Sequence, residues 1–188
     1  MQIERLTTPA QFAAERERWE ELERLDPNAT IFTSWRWLNA YAPVARTRPF
    51  TLAAREGATT IAYLPLAYGG TFLDRELFMG GAPVADCTGM LALPDREEAA
   101  IAAFADAIAR ERWDGFNVSE ARDPRIETLV RRLGDRGMLV AATHQTRCRT
   151  TDLPSSWETY ITERISALTL SSMLWHWSSM KVTPLPAS

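Results

Sequence analysis

The sequence predicts one mixed α/β domain, on three observations. The chain has 188 residues, enough for one domain of ordinary size and too few for two. Hydrophobic residues make up 46% and charged residues 24%, the balance of a chain that buries a core. Stretches with a 3.6-residue apolar period alternate with short strand-like runs. Their order is strand, two helices, three or four strands, helix, strand, helix, strand, with no internal repeat.

Residues 2–6 read as the first strand. Thr8-Pro9-Ala10-Gln11 then combines a cap, an N1 proline and an N3 glutamine, the start of a helix. Phe12, Trp19 and Leu22 fall on one side of that helix, Glu15, Arg16, Glu20 and Glu21 fall elsewhere, and Asp26-Pro27-Asn28 ends it. Ser34 caps a second helix with Trp37, Leu38 and Tyr41 on its apolar side, and Pro43 closes it within about two turns. Strands at 50–55 and 59–66 flank Glu56-Gly57-Ala58, a hairpin signal.

Residues 73–79 and 87–93 are expected to form a further strand pair, joined by Gly80-Gly81-Ala82-Pro83, a loop that forbids helix. Asp95 with Glu98 three residues on caps a helix whose stripe of Ile101, Phe104, Ala105 and Ile108 runs to Arg110. A short strand at 116–119 follows. Asp123-Pro124 caps a helix carrying Ile126, Leu129, Val130 and Leu133, closed by Gly134 or Gly137. Residues 138–143 make the next strand.

Charge and composition remove several function classes. The N-terminal residues are interspersed with acids and bases and no apolar run of about 20 residues occurs, so no signal segment and no membrane span are expected and the cytoplasm is the expected location. A net charge of -3 with mixed signs gives no footprint for nucleic acid. Cys87 and Cys148 lie far apart, in no C-x-x-C, with His144 and His176 as the soft co-ligands available, so neither zinc nor a disulfide framework is expected.

Among candidate functional residues, His144 suits a general base and Asp86 beside Cys87 suits an acyl-transfer site, but no second group at a telling spacing joins either. An ordinary strand histidine and a loop aspartate are the alternatives. Trp35, Trp37 and Tyr41 either line a ligand cleft beside the sheet or pack in the core. Arg122, Arg125, Arg131, Arg132 and Arg136 surround one helix and are balanced by Glu120, Asp123, Glu127 and Asp135, which reads as a solvated face. The serines near Trp175 and His176 fit no nucleophile elbow, since G-x-S-x-G is absent. Beyond Ser166 the composition changes abruptly: Lys181 is the one charged side chain after Arg164.

Four stretches carry a family likeness: Phe32-x-Ser34-x-x-Trp37-Leu38, Tyr63-Leu64-Pro65-Leu66, Gly80-Gly81-Ala82-Pro83-Val84-Ala85-Asp86, and Asp152-Leu153-Pro154-Ser155-Ser156-Trp157-Glu158-x-Tyr160. In this order they resemble the tandem GNAT-fold N-acyltransferases often named CelD-like. The resemblance implies a GNAT-like mixed sheet flanked by helices, with residues 1–166 as the first half of a tandem. It implies acetyl-CoA or another acyl-CoA as co-substrate, held by the second half, and a small-molecule amine as acceptor, with no cofactor in this chain. Trp37 and Asp86 are the candidate substrate-binding residues.

The basic helix that follows Trp-Glu-x-Tyr in that family is replaced here by Ala167-Leu168-Thr169-Leu170-Ser171-Ser172. Residues 167–188 are therefore expected to be an out-of-frame tail on a truncated chain, with a native C-terminal extension as the rival. Such a chain would be inactive alone and would self-associate through its uncovered face.

A GNAT domain holds the CoA pyrophosphate on backbone N–H groups of an R/Q-x-x-G-x-G/A loop that opens a helix. The matching junction, Leu93-Pro94-Asp95-Arg96-Glu97-Glu98, has no glycine, lacks an N–H at Pro94 and carries three carboxylates, so it reads as hostile to a diphosphate. Arg131-x-x-Gly134 lies at a helix end, where carbonyls are free. The rival to the enzyme reading is a non-catalytic GNAT-like scaffold that binds a partner or a small ligand near Trp37 and Asp86.

Overall fold

A computed structural model describes residues 1–71, 74–150, 154–160 and 173–184, with side chains described outside 142–150 and 173–184. The strands are β1 (Gln2–Leu6), β2 (Arg48–Glu56), β3 (Thr59–Gly70), β4 (Arg75–Met79), β5 (Leu91–Ala92), β6 (Gly115–Ala121), β7 (Met138–Thr150) and β8 (Met173–Pro184). The helices are α1 (Pro9–Ala14), α2 (Arg16–Leu25), α3 (Trp35–Tyr41), α4 (Glu97–Arg110), α5 (Pro124–Gly134) and the single turn α6 (Trp157–Thr159).

These strands make one sheet in the order β1-β2-β3-β4-β6-β8-β7, with β5 paired to β3 at the side. The described neighbours run antiparallel except β4 and β6, which run parallel. This is the mixed α/β sheet flanked by helices that the sequence led us to expect. None of the described helices is long and apolar enough to cross a membrane.

The pleat sends alternate side chains to opposite faces, and each face has its own helix layer. Phe50, Leu52 and Ala54 of β2 join Leu64, Leu66, Leu77 and Phe116 against α4 and α5, whose Ile101, Phe104, Ile108, Ile126 and Leu129 are buried there. Ala53 and Tyr63 turn the other way, onto Trp19 and Leu22 of α2 and Leu38 of α3. The expected stripe of α4 is thus the face that meets the sheet.

Four expectations are corrected. The first helix is broken at Glu15 into α1 and α2, because Glu15, 5% exposed, is pulled inward rather than left on the polar side. Its carboxylate accepts hydrogen bonds from the Tyr63 hydroxyl at 2.5 Å, Arg55 Nη2 at 2.8 Å and Arg18 Nη1 at 3.3 Å. α4 begins at Glu97 after an Arg96 cap that makes no side-chain bond, so the Asp95 and Glu98 capping pair does not form. Of the strand expected at 87–93, only Leu91–Ala92 is strand. It pairs with Tyr63 and Ala62 of β3, not with β4. β7 continues to Thr150, well past 143, because β8 gives it a partner over that length.

Residues 173–184 of the compositionally distinct tail form β8, which pairs with β7 from Met138↔Pro184 to Thr150↔Met173 and with β6 on its other side. Deleting 167–188 would leave the hydrogen-bonding edges of β6 and β7 open, and open edges template aggregation. We expect a chain ending at residue 166 to lose cooperative unfolding and to aggregate, as read by urea denaturation and light scattering. A monomeric, cooperative truncated chain would show that the sheet does not need β8.

A second prediction concerns Glu15. Burial works to raise its pKa, but the hydrogen bonds from Arg55 and Tyr63 outweigh burial and hold it below the ordinary 4.5. A lowered carboxylate adds stability that is present above 4.5 and is lost as pH falls through the lowered value. The stability gap between wild type and Glu15→Gln, measured by urea unfolding from pH 7 downward, should therefore shrink in acid. A gap of constant size would assign the effect to packing instead.

Candidate functional site

Three neighbourhoods carry the groups that chemistry could use. In the first, Ser34 Oγ accepts the Trp37 N–H at 3.2 Å and starts α3, which sets three aromatic rings in a row. Trp37 stacks on Tyr41 at 5.1 Å between centroids and meets Phe32 edge-on at 5.3 Å. The other side of the indole lies on Gly81, whose φ is +90° and where a Cβ would come within 2.6 Å of the ring. The Tyr41 hydroxyl donates to the Ala82 carbonyl at 3.3 Å, fixing α3 to the same loop. Trp37 is only half-buried, and it also lines an open groove of about 890 Å³ with Glu20, Glu23, Arg24, Ile31 and Arg36.

Asp86, the second candidate, is exposed and lies outside the lining of that groove. The loop from Gly81 to Asp86 links the two residues. The charge of Asp86 instead acts on Glu120, at the end of β6. Glu120 has a φ of +58°, a conformation costly for a residue with a Cβ, and lies in a bulge between the Val118 and Ala121 pairings to β8.

The third neighbourhood was not foreseen. Arg125, expected on a solvated face, is 6% exposed and lies at the start of α5 among three carboxylates. Its Nε and Nη2 each reach Asp123 at 2.8 Å, while Nη1 reaches Asp26 at 3.0 Å and Glu97 at 2.9 Å. Nη2 also donates to the Met90 carbonyl at 2.9 Å. The carboxylates have further donors, since Asp26 accepts the Ala92 N–H at 2.9 Å and Asp123 accepts the Met90 N–H at 3.3 Å. Burial disfavours the guanidinium charge, but the bonds to Asp123 and the charges of Asp123 and Asp26 outweigh it and raise the Arg125 pKa further. Glu97 and Asp123 also sit at the positive ends of α4 and α5, which offsets part of the excess negative charge.

The signals for Arg125 were weak in the sequence. Asp26 read as a stop and Asp123 as a cap, and their shared partner comes from local chemistry meeting across 99 residues. His144 lies on β7 opposite Ser179, and its side chain is outside the described residues, as are those of Cys148 and His176. Among the described residues no group of three His, Cys, Asp or Glu side chains is placed to hold a metal ion.

No family model matches the chain, and no curated protein is a significant match. Among solved structures the chain is similar to yncA from Salmonella typhimurium, a candidate acetyltransferase solved with its cofactor acetyl-CoA. That match is 12% identical with a TM-score of 0.45 and covers 99% of this chain and 96% of the other. An N-acetyltransferase from Staphylococcus aureus Mu50 is 7% identical with a TM-score of 0.49, covering 98% and 97%. The protein smu.2055 from Streptococcus mutans UA159 is 8% identical with a TM-score of 0.46, covering 98% and 99%.

Replacing Arg125 leaves Asp26 and Asp123 buried without their cation. Breaking a buried ion pair from one side typically costs about 3–5 kcal/mol. We expect Arg125→Met to destabilise the chain by about that amount in urea. Arg125→Lys should recover only part, because one ammonium cannot make the forked contacts to Asp123 and Met90 together. A neutral Arg125→Met would mean that the cluster contributes nothing net.

Proposed function

We propose that this chain is a GNAT-like domain that does not itself hold acyl-CoA, and that it serves as the first half of a tandem N-acyltransferase of the CelD-like kind. The observation that carries this reading is the acidic first turn of α4. A CoA diphosphate docks on free backbone N–H groups at a helix N-terminus. Here the first turn carries Glu97 and Glu98, and Glu97 is bonded to Arg125, itself shared with Asp123 and Asp26. An arriving diphosphate would meet carboxylates where it needs donors, and the like charges would repel.

On this reading acetyl-CoA or another acyl-CoA is held by a second half and a small-molecule amine is the acceptor. The amine nitrogen attacks the thioester carbonyl, a base takes its proton and the CoA thiolate leaves. The chain alone turns nothing over, and the face meant for the second half drives self-association. Truncation and an out-of-frame tail belong to the same reading, drawn from the residues after Tyr160. The pairing of β8 on both sides favours the rival in which 167–188 is native.

The second reading, a non-catalytic scaffold with a ligand site, is favoured by the groove at Trp37. Its volume of about 890 Å³ and its mixed lining of charge and aromatic surface suit a small polar ligand.

Thermal unfolding with acetyl-CoA tests the proposal. A ligand at about a hundredfold its Kd adds about 2.7 kcal/mol, which at this chain length would raise Tm by roughly 5–10 °C. We expect no shift with acetyl-CoA or CoA at concentrations of about 1 mM, and no acetyl transfer to simple amines. A saturable shift, or any CoA-dependent turnover by the purified chain, overturns it.

A further inference from the structure

α2 and α3 wall the groove of about 890 Å³, and the loop between them supplies Thr30, Ile31 and Ser34 to its lining. That volume lies in the range of small-molecule sites. The wall is tied down on several sides. Ser34 Oγ accepts the Trp37 N–H at 3.2 Å and donates to the Ile31 carbonyl at 2.6 Å. Trp19 Nε1 of α2 donates to the Thr33 carbonyl at 2.9 Å, and Trp35 Nε1 of α3 to the Phe12 carbonyl of α1 at 3.1 Å. A ligand therefore meets a surface that is already formed.

The charges of the groove divide into those that are met and those that are not. Glu20 accepts a hydrogen bond from Arg16 at 3.2 Å and pairs with Arg36 at 3.5 Å, so both helices answer its charge. Glu23, three residues further along α2 and half-buried, forms no ion pair among the described residues, and its carboxylate accepts the Trp35 backbone N–H. Burial raises the Glu23 pKa more than that N–H and the Arg36 charge lower it, as expected for a carboxylate short of a cation. Arg24 is exposed and has neither an ion pair nor a hydrogen bond among the described residues. One acid and one base thus remain, on consecutive residues of the same helix.

Beside them the lining is apolar at exposed Ile31 and half-buried Trp37. Thr30 Oγ1 is buried without a hydrogen-bond partner, so turning it toward a ligand breaks no bond. A cationic ligand would satisfy Glu23 and be repelled by Arg24, an anionic one the reverse, and a neutral one would leave both unmet. A zwitterion whose two charges hang on one carbon matches charges carried by consecutive residues. Taking the groove as the ligand site of the second reading, we propose that it binds a free α-amino acid with an apolar side chain. Its ammonium lies at Glu23, its carboxylate at Arg24 and its side chain along Ile31 and Trp37.

Calorimetric titration of the full chain with L-leucine, leucinol and isocaproate tests this, since leucinol lacks the carboxylate and isocaproate the ammonium. We expect L-leucine to bind at least about tenfold more tightly than either analogue. Glu23→Gln, which keeps an acceptor for the Trp35 N–H, should weaken L-leucine by about tenfold and leave isocaproate unchanged. Arg24→Gln should weaken L-leucine by about the same factor and leave leucinol unchanged. The three ligands make the comparison on the unaltered chain, so it does not depend on how either variant folds. Leucinol or isocaproate binding as tightly as L-leucine overturns the proposal and leaves the groove a ligand site. Binding of none of the three overturns the proposal and the small-ligand reading of the groove together.

Discussion

The guanidinium of Arg125 is the interaction on which most of the architecture rests. It draws together the end of α2 through Asp26, the strand around Met90 to Ala92, the start of α4 through Glu97 and the start of α5 through Asp123. α2 covers one face of the sheet, and α4 and α5 cover the other. Leu93 packs against both apolar clusters, and this polar cluster adds a direct tie between the helix layers. A buried cluster of this kind costs desolvation on every ion. It persists because Asp26 and Asp123 each also accept a backbone N–H and because two helix ends contribute positive potential.

The same residues decide what the start of α4 can do. Helix N-termini bind anions when their N–H groups are open. Here the first turn of α4 carries Glu97 and Glu98, and Arg125 holds Glu97. A mixed α/β sheet of this kind does not by itself specify an activity.

Much of the fold was legible because its signals are local. The Thr8, Ser34 and Asp123 caps all bond as their sequences suggest, and the β2–β3 hairpin turns at Gly57 with φ +60°. The stripes of α4 and α5 are the faces that are buried. What was not legible is long-range. A charged residue in a periodic pattern reads as solvent-facing, so Glu15 and Arg125 were placed outside, although partners 40 to 99 residues away bury both. The apolar run at 87–93 read as strand because it is buried. Most of it is buried by Thr88 crossing to β6 and Met90 bonding to Asp123, contacts a strand pattern does not encode. Of Trp37 and Asp86, the two candidate site residues, Trp37 lines the groove, Asp86 lies outside that lining, and the loop from Gly81 to Asp86 connects them.

That loop has its own logic. Gly81 must serve two neighbours at once: the Trp37 ring needs the space a Cβ would take, and the chain needs φ +90° to turn back toward β6. A side chain here would be strained in its backbone and would push the indole off its stack on Tyr41. The hydroxyl of Tyr41 then fixes the next residue, Ala82. The aromatic row of α3 thus sets where residues 80–90 begin, and Thr88 sets where they meet β6. Trp37 thus borders one end of that segment and Thr88 fixes the other to β6, so the groove and the end of β6 are joined by continuous backbone.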